Sequence, residues 1–138
     1  MVELLNPPEL VPPRGFAHGA LAPATHRLLV VAGQIGWDSA GKLVSGDFVA
    51  QFAQALRNVA TVVQAAGGRP EDVLSLRLFV TDKQRYLAQQ REVGVAYREV
   101  FGRHYPAMAL VQVADLLEDG ALVEIEALAA VPPAGGTP

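Results

Sequence analysis

Hydrophobic positions recur along the chain in two kinds of pattern, which predict four main strands and two helices. Short apolar or alternating stretches bounded by turn residues are typical of strands. Such stretches cover residues 28–35, 72–81, 107–114 and 122–131. Apolar residues at steps of three and four predict amphipathic helices. One begins after Asp47 and stops before Gly67, with Gln51 among the polar residues opposite its apolar stripe, and the other runs from Asp82 to Gly102.

Turn residues connect these elements and set their predicted order. The turn Asp38–Gly41 follows the first strand, so residues 42–44 are predicted to return beside it as a hairpin. The turn Leu117–Gly120 is predicted to join the last two strands as a second hairpin. The resulting order is β-(β)-α-β-α-β-β, which indicates an α+β fold with one sheet and two helices on one of its faces.

The strands carry apolar residues on more than one face. In the last strand, Val123 and Ile125 point to one side, while Leu122 and Leu128 point to the other. Two helices cover only one face of a sheet, and a monomer rarely exposes an apolar face of that size. We therefore expect a closed homo-oligomer that covers the second face.

Composition narrows the class of protein further. The chain has 138 residues and no cysteine, which excludes a disulfide scaffold, a thiolate metal site and a cysteine nucleophile. Charged residues make up 18%, against a usual value of about 25%, which is consistent with buried surface between subunits. The net charge is −3 and the basic residues are scattered, so nucleic-acid binding is not favoured. Apolar runs such as residues 28–32 are too short for a membrane span, and the amino terminus lacks a signal-peptide pattern. We expect a cytoplasmic protein.

Proline-rich segments flank the predicted domain. Prolines at positions 7, 8, 12 and 13 predict an extended amino-terminal arm over residues 1–14. The domain itself is predicted at 15–131, and residues 132–138 are predicted to be a disordered tail.

Few residues suggest chemistry when the sequence is read alone. Glu124 and Glu126 share one face of the last strand, where they are either candidates for acid/base chemistry or ordinary solvent-facing or arginine-paired carboxylates. The histidines lack metal-ligand spacing, so we expect no metal, and His18 is the one that merits attention because it lies close to Phe16. The segment Gly33–Gly36 is followed by a turn rather than a helix, so it does not predict a phosphate-binding loop.

Several short segments, in the same order and on the predicted elements, together resemble the RidA family, also called YjgF or endoribonuclease L-PSP. The segments are Ala32–Ile35, Gln54–Val59, Ala65–Gly67, Val80–Asp82, Tyr97–Phe101, Pro106–Ala107 and Val123–Ala127. The resemblance covers about residues 15–131. It implies a chorismate-mutase-like fold of the bacillus type and a homotrimer with clefts between subunits. Many members hydrolyse reactive imines or enamines without a cofactor, and others are known as ribonucleases or translation inhibitors.

The resemblance also indicates which site residues differ. In the family's deaminases an arginine that binds the substrate carboxylate follows the Pro-Ala pair, and here that position is Met108. Phe16 stands where those proteins have a tyrosine, and Gly94 aligns near a helix asparagine. Glu124 is retained, at the position that the family uses to hold or activate water.

These differences predict a cleft that is roomier and more apolar than that of the small 2-imino acid deaminases. The candidate catalytic residue is Glu124, and the backbone near Ala32 and Gly33 would hold the ligand beside Phe16, Gly94 and Met108, with His18 as a further polar group. We expect a hydrolytic deaminase that acts on a larger or more apolar imine or enamine. The alternatives are a non-catalytic trimer that binds a small metabolite and, less favoured, an RNA-directed protein.

Overall fold

The computed structural model describes residues 1–135 and contains a main four-stranded sheet with helices packed on it. The strands are β1 (Glu3–Leu5), β2 (Gly19–Leu21), β3 (Arg27–Ile35), β4 (Val73–Val80), β5 (Ala107–Gln112) and β6 (Val123–Val131). The helices are α1 (Phe48–Ala65), α2 (Lys83–Ala88) and α3 (Gln90–Phe101). The main sheet has the order β3-β6-β4-β5, and β1 and β2 form a separate antiparallel pair. None of the helices within residues 1–135 is long and apolar enough to cross a membrane.

The α+β architecture and the four main strands agree with the prediction, but the second hairpin does not. β5 and β6 are not paired, because β4 lies between them: β6 runs antiparallel to β4, and β5 runs parallel to it. The connection over residues 113–122 is long enough to pass the end of β4, and its Leu117 side chain is fully exposed. The Leu117–Gly120 turn is therefore part of a crossover, and the hairpin prediction is wrong.

Three other local details differ from the sequence prediction. The expected long second helix is divided at Gln89, which ends α2 and precedes α3 with non-helical dihedral angles. The hairpin over residues 42–44 is reduced to one isolated bridge between Trp37 and Leu43. Strands β1 and β2 were not predicted. Of the predicted tail 132–138, the last three residues lie outside the described part of the chain, and the division into arm, domain and tail stays a prediction.

Helix α1 begins where its sequence predicts and covers the centre of the sheet. The Asp47 carboxylate accepts a hydrogen bond from the Ala50 amide at 2.9 Å, which satisfies one of the free donors at the helix start. Gln51, expected on the polar side, is fully buried instead. Its amide group donates to the Ser45 and Gly120 carbonyls and accepts from the Leu122 amide, so it satisfies backbone groups of two loops.

The sheet has one covered face and one open face. On β6, Val123, Ile125 and Ala127 are buried against the helices, while Glu124 and Glu126 point to the other side. On β3, the Leu28 and Val30 side chains are each 67% exposed. They pair with β6 residues of the same outward face, which includes Leu128. We name this surface, made by Leu28, Val30, Glu124, Glu126 and Leu128 together with neighbouring side chains, the open face.

The amino-terminal segment is attached to the edge of the sheet. Ala17 forms a parallel bridge with Ala107, and its amide donates to the Pro106 carbonyl at 3.0 Å. The pairing of β1 with β2 then folds the first residues back, with Val2 buried. This attachment brings the residues just before Ala17 beside β5 and α3, where they form one wall of a cavity.

Candidate functional site

A cavity of about 540 Å³ lies between the amino-terminal segment, α3 and β5. Most of its lining is apolar or aromatic, and its charged lining residues are both arginines. The lining residues are Arg14, Gly15, Phe16, Phe52, Leu78, Tyr86, Gln90, Val93, Gly94, Tyr97, Arg98, Tyr105, Met108 and Leu110. A concave, mainly apolar site with a few polar groups is the usual form of a small-molecule site.

Two stacked tyrosines form part of this lining. The Tyr97 and Tyr105 rings are nearly parallel, with their centroids 5.2 Å apart. The Tyr97 hydroxyl donates to the His104 carbonyl at 2.6 Å, and the His104 Nε2 atom lies 2.8 Å from the Val73 carbonyl oxygen. Burial, and to a smaller extent the neighbouring Tyr105, raises the pKa of Tyr97 far above its usual value, so its phenol stays neutral.

The positive charge of the cavity comes from residues that were not predicted to belong to the site. Arg98 lies one turn after Gly94 on α3, and a Cβ atom built on Gly94 would stand 3.1 Å from the Arg98 Nη1 atom. Arg14 belongs to the amino-terminal segment. Gly94 and Arg98 are four residues apart, so they lie on the same helix face. This spacing could have predicted from the sequence that Arg98 lies at the site. Arg14 had no such signal, because its position depends on the bridge at Ala17.

The predicted site residues fall into two groups. Phe16, Gly94 and Met108 line the cavity. Glu124 and Gly33 are adjacent to each other instead, because a Cβ atom on Gly33 would clash with the Glu124 carboxylate. Ala32 lies in the same irregular part of β3, between Val31 and Gln34, where the pairing register with β6 shifts.

Met108 and Glu124 of one chain lie on opposite faces of the sheet. Met108 pairs with Leu76, which is buried beneath the helices, so its side chain points to the helix side. Glu124 pairs with Phe79 and points to the open face. Because adjacent positions of a strand alternate between faces, this separation follows from the register alone. A site that contains both residues therefore needs a second copy of the chain.

The remaining polar candidates have local partners. Glu126 forms an exposed ion pair with Arg77 on the neighbouring strand, with an N–O distance of 3.4 Å. His18 lies outside the cavity lining: its amide donates to Asn6, its Nε2 atom is 2.7 Å from the Val11 carbonyl oxygen, and its ring contacts Phe16 edge-on. The role of His18 in ligand binding stays a prediction.

The electrostatics of the two regions are complementary. The cavity can hold an organic molecule with an apolar body and a negative group, while Glu124 on the open face offers a carboxylate that forms no ion pair with residues 1–135. Within that same range, no group of three or more potential metal-ligating side chains comes together.

Comparisons with known proteins agree with this architecture. The family model described as Endoribonuclease L-PSP matches residues 11–131. The human 2-iminobutanoate/2-iminopropanoate deaminase is 35% identical over 119 residues, which cover 82% of this chain and 83% of that protein. A RutC family protein of Pyrococcus horikoshii is 38% identical over 102 residues, covering 73% of this chain and 77% of that protein.

Comparison with solved structures points to the same family. The Rid family protein YyfB from Yersinia pestis superposes with a TM-score of 0.82 at 31% identity, covering 94% of this chain and 98% of that one. The YjgF gene product of E. coli superposes with a TM-score of 0.64 at 32% identity, covering 91% and 93%. The fold is thus the chorismate-mutase-like fold of these proteins, and the chain belongs to the endoribonuclease L-PSP family, also known as the RidA or YjgF family.

Proposed function

We propose that the protein is a homotrimeric, cofactor-independent deaminase that hydrolyses an imine or enamine with a larger or more apolar body than the small 2-imino acids. The observation that carries this proposal is the cavity of about 540 Å³ with Met108 in its wall. The relatives named as deaminases of small imino acids support the reaction class. The apolar lining supports the size and character of the substrate.

The separation of Met108 from Glu124 supports a site shared between subunits. In one chain these residues occupy opposite faces of the sheet, and the open face carries the exposed Leu28 and Val30. Packing the open face of one copy near the cavity of another would place a carboxylate beside the ligand and bury apolar surface together. In this arrangement Glu124 of one subunit acts on a substrate held by its neighbour.

The reaction itself needs one acid/base group and one water molecule. Water adds to the carbon of the C=N bond while Glu124 accepts a proton from it. This proton passes to the nitrogen and gives a carbinolamine. The hydroxyl proton of the carbinolamine then moves through the same carboxylate to the nitrogen as the C–N bond breaks, so the products are ammonia and a carbonyl compound. Gly33 leaves the space that the Glu124 carboxylate occupies, and any larger residue there would displace it.

An assay with imines generated in situ tests this proposal. An amino-acid oxidase supplies imines of both small and large apolar amino acids, and imine loss is followed with and without the protein. Glu124→Gln should lower kcat by about a hundredfold or more, which is the usual contribution of a general acid or base. Glu126→Gln is the matched control, because Glu126 lies two residues away on the same face and is paired with Arg77.

Each outcome separates the alternatives. Turnover that Glu124→Gln retains would refute the assigned role of Glu124. No acceleration with any imine would refute the deaminase proposal and favour the non-catalytic metabolite-binding trimer. A preference for small imines over large ones would contradict the proposed substrate class.

A further inference from the structure

The lining of the cavity carries a net positive charge, even though the arginine of the family's deaminases is missing. Arg14 and Arg98 give it a formal charge of +2, and none of the lining residues within positions 1–135 is acidic. The rest of the lining is mainly apolar or aromatic, including Phe52, Val93 and Leu110. An isolated positive group beside apolar walls favours an organic anion over a strongly hydrated inorganic one.

The backbone of α3 places Arg98 at the cavity. Its neighbours three and four residues away on α3 and at its end are Gly94, Val95, Phe101 and Gly102, none of which can form an ion pair with it. Arg98 also forms no ion pair with any other residue in the described part of the chain. Its guanidinium group is therefore available to a ligand.

The glycine at position 94 makes room for this guanidinium. A Cβ atom at that position would already stand 3.1 Å from the Arg98 Nη1 atom, so a longer side chain would compete with the guanidinium for the same space. The position of the Arg98 guanidinium therefore depends on the absence of a side chain at Gly94.

We infer that Arg98, with Arg14 of the neighbouring amino-terminal segment, binds the carboxylate of the ligand in place of the arginine that the family's deaminases carry after the Pro-Ala pair. The inference rests on the proposed function for the reaction, but the binding of the acid group can be measured without turnover. A guanidinium donates two parallel hydrogen bonds to a carboxylate, so Arg98 restores from the helix the contact that Met108 cannot make from the strand.

Calorimetric titration with phenylpyruvate and with its uncharged methyl ester tests the inference. Both probes have the same apolar body, and only the first carries a carboxylate. Arg98→Gln should weaken phenylpyruvate binding about tenfold to a hundredfold and leave ester binding unchanged, since a hydrogen bond to a charged group is lost. Arg91→Gln is the matched control, because Arg91 is an exposed arginine of the same helix that does not line the cavity.

A second variant separates loss of the ligand contact from loss of folding. Gly94→Leu should weaken phenylpyruvate binding as well, because the new side chain competes with the Arg98 guanidinium for space and brings no polar group of its own. The same change should leave the helix at least as stable, since glycine is the poorer helix former. Weaker binding in a variant with an unchanged or higher melting temperature supports the coupling, and unchanged binding contradicts it.

The outcomes also distinguish this inference from the proposed function. If the wild-type protein hydrolyses no imine but binds phenylpyruvate through Arg98, the deaminase proposal fails and the carboxylate site stands. If the wild-type protein hydrolyses imino acids and Arg98→Gln leaves KM unchanged, the reaction stands and the carboxylate site is refuted. Failure of the wild-type protein to prefer phenylpyruvate over its ester also refutes it.

Discussion

Tyr97 shows how burial at a single residue links the cavity wall to the stability of the protein. Its ring packs between Phe101 and Tyr105, and its hydroxyl group donates to the His104 carbonyl. The neutral phenol is the form that this environment favours, because a phenolate would be desolvated and could not donate.

The stability of the folded protein should therefore decrease at alkaline pH. Above the ordinary tyrosine pKa of about 10, the unfolded chain releases the Tyr97 proton while the folded chain keeps it, so the free energy of unfolding falls by about 1.4 kcal/mol per pH unit. Urea denaturation at a series of pH values from neutral to about 11 measures this slope. In Tyr97→Phe the slope should be smaller by that amount, and an equal slope in both proteins would contradict the argument.

The period of a strand made some single-residue features predictable from the sequence. Glu124 and Glu126 were placed on one face because strand positions alternate. The burial of Gln51 could not be predicted, because it depends on two loops whose carbonyl groups it satisfies. The position of Arg14 in the cavity wall depends in the same way on long-range contacts.

At the level of elements, the two aspartate caps begin helices that bury very different numbers of residues. Asp47 caps α1, which buries seven residues, and Asp82 caps α2, which buries none. Both side chains accept a backbone hydrogen bond at the helix start. The contribution of each cap to global stability should follow the packing of the helix that it begins.

Asp47→Ala should lower the free energy of unfolding by about 1 kcal/mol, the usual cost of losing a cap. Asp82→Ala should cost clearly less, because α2 can fray at its start without exposing core residues. Urea denaturation of the two variants beside the wild-type protein gives both values. A larger loss for Asp82→Ala would show that α2 supports the core in a way that its burial does not suggest.

Helix limits and strand positions were predictable because caps, glycines and periodicity are local. Strand order could not be predicted in this way, because strands that are consecutive in sequence are neighbours in the sheet in only part of known folds. The crossover through α2 and α3 brings β5 back parallel to β4, and β6 then pairs with the other edge of β4. The break at Gln89 also lacked a signal, because neither glycine nor proline marks it.

For the molecule as a whole, the open face is the feature with the largest consequence. The Leu28 and Val30 side chains are mostly exposed there, beside Leu128. The sequence predicted such a face from strands that are apolar on both sides. The strand pattern does not specify a number of copies, so the proposed trimer rests on the family resemblance.

A charge on the open face should therefore dissociate the oligomer. Val30→Asp places a carboxylate in the proposed interface, where its desolvation is costly. Size-exclusion chromatography with light scattering should give three times the mass of one chain for the wild-type protein and a smaller mass for Val30→Asp. Leu117→Asp is the control, because that side chain is fully exposed in the loop before β6, and it should leave the mass unchanged. A monomeric wild-type protein would contradict the proposal.

The position of Arg98 beside Gly94 has a consequence for the ligand preference of this protein. The family resemblance implies an arginine at the position of Met108, whereas the cavity lining of this chain has its positive groups at Arg14 and Arg98. The inferred role of Arg98 would mean that a carboxylate contact has moved from a strand position to a helix position. On that inference, the summed charge of the cavity lining would describe the ligand preference of this protein better than the residue at one motif position.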